Sequence, residues 1–324
     1  MESFYINDED FLLNKARGAG FLSAMRGSDL PPLSLSCFSS VKALSQYKPE
    51  ELVEMGVDFI WVGYEGQRAG YDKMKGRGYR ELFTGLQRHG ISVLASMIIG
   101  FDYQTPEIIQ QEFEELLSLR PSLSQFLIYG PAHGTPLHER MAREGRLDQR
   151  KMGNPKYLDG FSLVFKHPHI GAQEMSAIQR RLYQEEYRRL GPSIFRIAED
   201  WITGHLNLRD HPAPRVRAKA IKYGRDAHRA MLLMPASANY LSIIQASRLA
   251  ALRRHIERST GEMTVQERIL ARAVPPMILL SELRRRYGRG QQPTFSRRRF
   301  RRDRTLVPQW SSWSPMRLTT EVQG

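Results

Sequence analysis

The chain has 324 residues, 41% of them hydrophobic, which is enough for one large core and leaves room for a second domain. It carries a net charge of +14 and one cysteine, Cys37, which excludes an internal disulfide. No apolar run reaches the roughly 18 residues of a membrane span, and MESFYINDEDFLL lacks the basic and apolar regions of a secretory signal, so a cytoplasmic protein is expected.

In chain order, FYIN (4–7), LSLSCF (33–38), DFIWVGYE (58–65), SVLASMIIGF (92–101) and SQFLIYG (124–130) are short apolar runs with strand character. Helical patterns lie between them. Pro49 opens one and Gly56 closes it. A second runs from Gly78 to His89 and stops at Gly90. A third starts with Thr105 as N-cap and Pro106 as first helical residue, and reaches about Leu119. Such alternation predicts right-handed βαβ units and a parallel sheet, so residues 1–148 are expected to form a barrel-like or doubly wound α/β domain. The strands are apolar enough to predict helices on one face and a packed interior on the other.

Functional groups in such domains collect at the carboxyl ends of the strands. Here those positions hold Asp8, Glu9 and Asp10, then Glu65, Asp102, and His133 with Thr135. Carboxylates on one rim suit a cation or an ammonium group, and they equally suit solvated loops and helix caps. Glu65 stands out, because WVGYEG sets it between two glycines at the end of an apolar strand.

Residues 149–280 are expected to be mainly helical. In QEMSAIQRRLYQEEYRRLG, Met175, Ile178, Leu182 and Leu190 fall near one face and Gly191 ends the helix, a pattern that predicts core packing. His167 and His169 in KHPHI have no third ligand nearby, which favours ordinary loop histidines over a metal site. Residues 281–324 form a basic tail. Ten arginines between Ser281 and Arg304 face only Glu282 and Asp303, with Tyr287, Phe295 and Phe300 among them. This composition predicts a disordered arm. It suits contact with RNA, DNA or an anionic surface, or a solubilising tail.

The segments FYINDEDFL, GVDFIWVGYEG, HGISVLASMIIGFDYQTPE and FLIYGPAHGTPLHERMAREGRL, in this order and spacing, resemble the radical S-adenosylmethionine enzymes. The nearest type is the branch that usually carries a cobalamin-binding domain before its barrel. The resemblance covers residues 1–148 and, more loosely, the helical stretch to about 235. It implies a partial barrel holding a [4Fe–4S] cluster and S-adenosylmethionine at its open end. It also implies that Asp8 and Glu9 lie near the cofactor's amino end and that Glu65 meets its ribose or amino acid moiety. Ser96, Ile98 and Gly100 would line the adenine side, and Tyr129 with the Gly130–Pro131 turn would close the cavity.

The sequence departs from this family at one point of chemistry. The cluster needs three thiolates from a C-x-x-x-C-x-x-C loop after the first barrel strand, and this chain has only Cys37. The fold class expected is therefore α/β: an incomplete (β/α) partial barrel that begins at the family's second strand, followed by a helical region and a basic tail. S-adenosylmethionine binding is implied by the resemblance. The cluster and cobalamin belong to the intact family and are not expected on this chain alone, which is expected to be inactive by itself. The chain is then a gene fragment, one half of a split enzyme whose partner polypeptide carries the cluster, or a degenerate binding protein. The alternative class is a non-enzymatic nucleic-acid-binding protein acting through residues 284–304, with weak contact. No membrane partner is expected.

Overall fold

The computed structural model describes residues 3–64, 78–236 and 241–287, and the chain forms two compact units, residues 1–275 and 276–324. Glu65 and the tail from residue 288 onward lie outside the described residues.

The first unit is built on strands β1 (Ser3–Ile6), β2 (Ser34–Phe38), β3 (Val57–Tyr64), β4 (Ser92–Ile99) and β5 (Leu123–Ile128). They are all parallel and lie in sequence order. Helices fill the crossovers: α1 (Lys15–Arg26), α2 (Val41–Leu44), α3 (Pro49–Met55), α4 (Tyr79–Arg88) and α5 (Pro106–Ser118). The five strands, α3, α4 and α5 match the sequence expectation to within one or two residues. Their punctuation is physical. Pro49 and Pro106 occupy first-turn positions, Gly56 closes α3 at φ 97°, and Thr105 accepts the Ile108 N–H at 3.4 Å.

Helix α1 was not legible. KARGAGFLSAMR carries two glycines and a weak apolar pattern, which cost helix stability. Tertiary packing explains one of them: a Cβ on Gly18 would lie 2.0 Å from the Tyr47 hydroxyl, which donates to the Leu12 carbonyl at 3.1 Å.

The two faces of the sheet differ. Leu35, Cys37, Ile60, Val62, Val93, Ala95, Met97, Ile99, Phe126 and Ile128 are buried under helices in the main core. Ser36, Phe38, Phe59, Trp61, Leu94, Ile98, Gln125 and Leu127 alternate with them and remain partly exposed, with Gly63 exposed. The packed interior expected on this second face is therefore incomplete among the described residues. The two edges differ as well. On β5, Phe126 N–H donates to the Tyr183 hydroxyl at 3.1 Å, Gln179 Nε2 donates to the Phe126 carbonyl at 2.7 Å, and Ile128 N–H reaches the Gly160 carbonyl at 2.7 Å. On β1, Phe4 and Tyr5 are 45% and 51% exposed, and no described residue hydrogen-bonds the edge facing away from β2.

The helical region continues through α6 (Pro136–Arg143), α7 (Gln149–Met152), α8 (Ala172–Leu190), α9 (Ser193–Leu208), α10 (Pro214–Ala230) and α11 (Ile243–Thr260), with α12 (Val265–Tyr287) after them. In α8, Met175, Ile178 and Leu182 are buried, as the periodicity predicts. A second core gathers Phe195, Ala198, Ile202, Ala227, Met231 and Ile256.

Helices α9 and α10 close the amino end of the sheet. Asp200 accepts hydrogen bonds from Ser92 Oγ at 3.0 Å and Ser122 Oγ at 2.5 Å, at the starts of β4 and β5. Lys219 donates to the carbonyls of Leu33 and Gly56 and to Asp58 Oδ2, the last two at 3.0 and 2.9 Å. No described helix is long and apolar enough to cross a membrane.

Candidate cofactor-binding site

With the amino end closed, the carboxyl rim and the partly open face are where a ligand can approach the sheet. The rim acids after β1 are used locally. Asp8 accepts the Asp10 N–H at 3.1 Å and pairs with Arg17 at 3.0 Å. Asp10 accepts from Ser39 Oγ at 2.8 Å and Ser40 Oγ at 2.6 Å, which stitches the end of β1 to the end of β2. Glu9 is exposed and has no bonded partner among the described residues.

The β4 end is held by a buried amide. Gly100, at φ 98°, turns the chain, and the N–H groups of Gly100 and Phe101 donate to Gln104 Oε1 at 2.6 and 3.0 Å. Gln104 Nε2 in turn donates to Glu112 at 2.7 Å, so this turn is fixed to α5. Asp102 receives Arg146 through two bonds at 2.8 and 2.6 Å, with Arg140 at 3.6 Å. The bidentate guanidinium holds the Asp102 carboxyl below the usual carboxylate range. His167 Nε2 lies 2.9 Å from the Phe101 carbonyl, and burial pushes its pKa down.

Tyr129 continues β5 by donating its N–H to the Ile99 carbonyl at 2.7 Å. Its ring packs 5.2 Å from Phe101 and 6.2 Å from Phe165. Gly130 beyond it is exposed and Pro131 is buried. Thr135 caps α6 by accepting the His138 N–H at 3.3 Å. On the sheet face, Ser96 Oγ donates to Gln125 Oε1 at 3.1 Å, and Ile98 sits in register with Leu127. Ser96, Ile98, Gly100, Tyr129, Gly130 and Pro131 thus share the β4–β5 corner of the rim. Asp8 and Glu9 stand at the β1 end, with the intervening strands between the two groups.

Sequence reasoning missed the aromatic row that bridges this gap. The Tyr5 and Phe38 rings meet edge to face at 5.8 Å, and Phe38 and Trp61 lie 4.4 Å apart. No spacing in the chain signals this row, because the three residues come from different strands and meet only through the register. A partly exposed row of this kind offers flat apolar surface to a planar ring.

Cys37 does not fit a cluster. It is 1% exposed, on the helix-covered face, and burial next to Asp10 and Asp8 pushes its thiol up to about 12. A neutral, buried thiol is not a metal ligand. Among the described residues, no three His, Cys, Asp or Glu side chains converge as a metal set would.

No protein-family model and no curated protein matches the chain. Among solved structures it is similar to TsrM from Kitasatospora setae, a radical S-adenosylmethionine methyltransferase determined with cobalamin and a [4Fe-4S] cluster bound. The identity is 14% and the TM-score 0.43, over 71% of this chain and 53% of that one. The chain spans about half the length of that protein.

Proposed function

We propose that the sheet is the cofactor-binding part of a radical S-adenosylmethionine-type protein that binds the adenosyl cofactor but relies on another polypeptide segment for its cluster. The observation that carries this reading is the combination of a closed amino end with, among the described residues, an incompletely covered face and unequal edges. Side chains of α8 cap the β5 edge, whereas no described residue hydrogen-bonds the outer edge of β1, beside which Phe4 and Tyr5 are exposed. A bare parallel edge is a template for one more strand. The resemblance of the four segments to the family supports this assignment, at a corner where Ser96, Gly100 and Pro131 are buried, Ile98 and Tyr129 are partly exposed and Gly130 is exposed.

In this reading, Ser96, Ile98 and Gly100 line the adenine side, while Tyr129, Gly130 and Pro131 bound the cavity. Asp8, Glu9 and Glu65 face the cofactor's amino acid and ribose end. Cys37 takes no part in holding a cluster, which would have to be held, with the electron chemistry it would supply, by residues outside this set. This chain's own residues bind and orient the cofactor. The separate cluster-bearing segment docks on β1.

Calorimetry of the full chain with S-adenosylmethionine tests the first part. The expected result is saturable binding that Ile98→Trp weakens by tenfold or more through occlusion of the face. Absence of binding by the folded wild type would remove the reading.

A further inference from the structure

We propose that a cleft between α9 and α11 binds an organic monoanion with an apolar body, such as a medium-chain carboxylate. The proposal is independent of the cofactor reading, because the cleft shares no residue with the rim of the sheet. It arises from the way α11 is tied down. Gln245 Nε2, near the start of α11, donates to the carbonyls of Tyr187 and Arg188 at 2.8 and 3.0 Å, which fixes that end to the last turn of α8. Further along, Ile256 is fully buried in the second core. Beside these two anchors, α9 and α11 leave a cleft of about 410 Å³, within the range of small-molecule sites. Its floor is apolar. Phe195 and Ile202 are buried, and Leu249 and Leu252 pack partly buried against the same core.

The polar lining selects the ligand. Arg248 and His255 are seven residues apart on α11, hence on one face and about 10 Å apart along its axis. Both are exposed, and neither has a hydrogen-bonded or ion-paired partner among the described residues. Arg120 reaches Glu199 only at 3.8 Å, with both side chains more than half exposed, and such a pair is worth little. Arg196 is already committed to Glu186 and to the carbonyls of Ser122 and Gly191. Glu199 is the single acid of the lining. A cationic ligand would meet Arg120 and Arg248. A neutral apolar molecule would cover the floor and leave Arg248 unpaired beside it. A small inorganic anion would pair with Arg248 and leave the leucines in water. A carboxylate on an apolar chain meets both needs: the chain lies on Leu249, Leu252 and Phe195, and the carboxylate accepts from the Arg248 guanidinium. One turn of a partner helix, about 10 Å across, would already take up this volume, so the occupant is a small molecule.

The test is calorimetric titration of the full chain with octanoate, with octylammonium as the matched cation and acetate as the headgroup alone. Octanoate is expected to bind saturably at one site per chain, and the other two are expected not to bind. Arg248→Glu should weaken octanoate by about tenfold or more through loss of a charge-assisted hydrogen bond, while Arg248→Lys should keep most of the affinity. Ala251→Trp, at an exposed position of the lining, should abolish binding by filling the cleft. Circular dichroism and thermal melting monitor folding of the variants. Hydrogen–deuterium exchange locates the site in the wild type without any substitution: octanoate should slow exchange in α9 and α11. Absence of saturable octanoate binding by the folded wild type overturns the proposal. So does octylammonium binding as tightly as octanoate, an octanoate affinity unchanged in both Arg248→Glu and Ala251→Trp, or exchange protection confined to the sheet.

Discussion

Two buried ionisable groups at the amino end of the sheet show how single residues set the stability of this fold. Asp200 lies in an apolar junction, and burial pushes its carboxyl up to about 8 despite the bonds it accepts from Ser122 and Ser92. An unfolded Asp titrates near 4, so between about pH 4 and pH 8 the folded chain holds a proton that the unfolded chain has released. The contribution of this group is therefore full below about pH 4 and is lost as pH rises to about 8. Asp200→Asn has no proton to lose. Urea denaturation across this range should show wild-type stability falling by a few kcal/mol relative to the variant. Parallel curves would mean that Asp200 stays ionised in the fold. Lys219 is the complementary case. Burial pulls it down to about 8, but Asp58 and two carbonyls hold its three N–H donors, so it remains charged at neutral pH. Lys219→Met leaves Asp58 buried without its partner and should cost about 3–5 kcal/mol. Adding Asp58→Asn should recover part of that loss; no recovery would place the cost in packing rather than charge.

At the scale of elements, the docking of α9 depends on two glycines. A Cβ on Gly204 would lie 2.4 Å from Gly90 Cα, a backbone atom that cannot turn aside, and Gly90 itself sits at φ 80° against the Tyr223 ring. Gly204→Ala should therefore destabilise by about 2–3 kcal/mol in thermal or chemical unfolding. Gly20→Ala in α1 is the control, since its Cβ would meet nothing within 4 Å, and there the helix propensity of alanine should add about 0.5–1 kcal/mol. Equal effects at the two sites would show that α9 can shift to accommodate the methyl group. The same contrast explains what could be read from the chain. Helices α3, α4 and α5 announce themselves through local caps and stops, such as Pro49, Gly90 and Thr105. Helix α1 owes Gly18 to Tyr47, which is 29 residues further along the sequence, and no local pattern carries that contact.

For the whole molecule, the single cysteine predicts what the chain does not do by itself. After anaerobic reconstitution with iron and sulfide, the chain alone should show no stable [4Fe–4S] absorption. With S-adenosylmethionine and a strong reductant it should make no 5′-deoxyadenosine, because one neutral thiol cannot hold the cluster. Product above a no-protein control would overturn the proposal that the cluster is held by residues outside this chain. Turnover and cofactor binding are separate measurements, so calorimetry with S-adenosylmethionine is read independently of this assay.

The sequence by itself determined the five strands, three of the crossover helices, the amphipathic α8 and the lone cysteine, because each rests on periodicity, caps or a count within a short window. Tertiary structure alone decided how the rim acids are used: Asp8 on Arg17, Asp10 on Ser39 and Ser40, Asp102 on Arg146. It also decided which end of the sheet is closed, through pairs such as Lys219 with Asp58 and Asp200 with Ser92, which lie 161 and 108 residues apart. The row of Tyr5, Phe38 and Trp61 likewise exists only once the strand register is set. The physical reason is range. Backbone preference and periodicity act within a helical turn or a strand, whereas the partner of a buried charge or an aromatic ring is chosen by where the folded chain brings distant segments together.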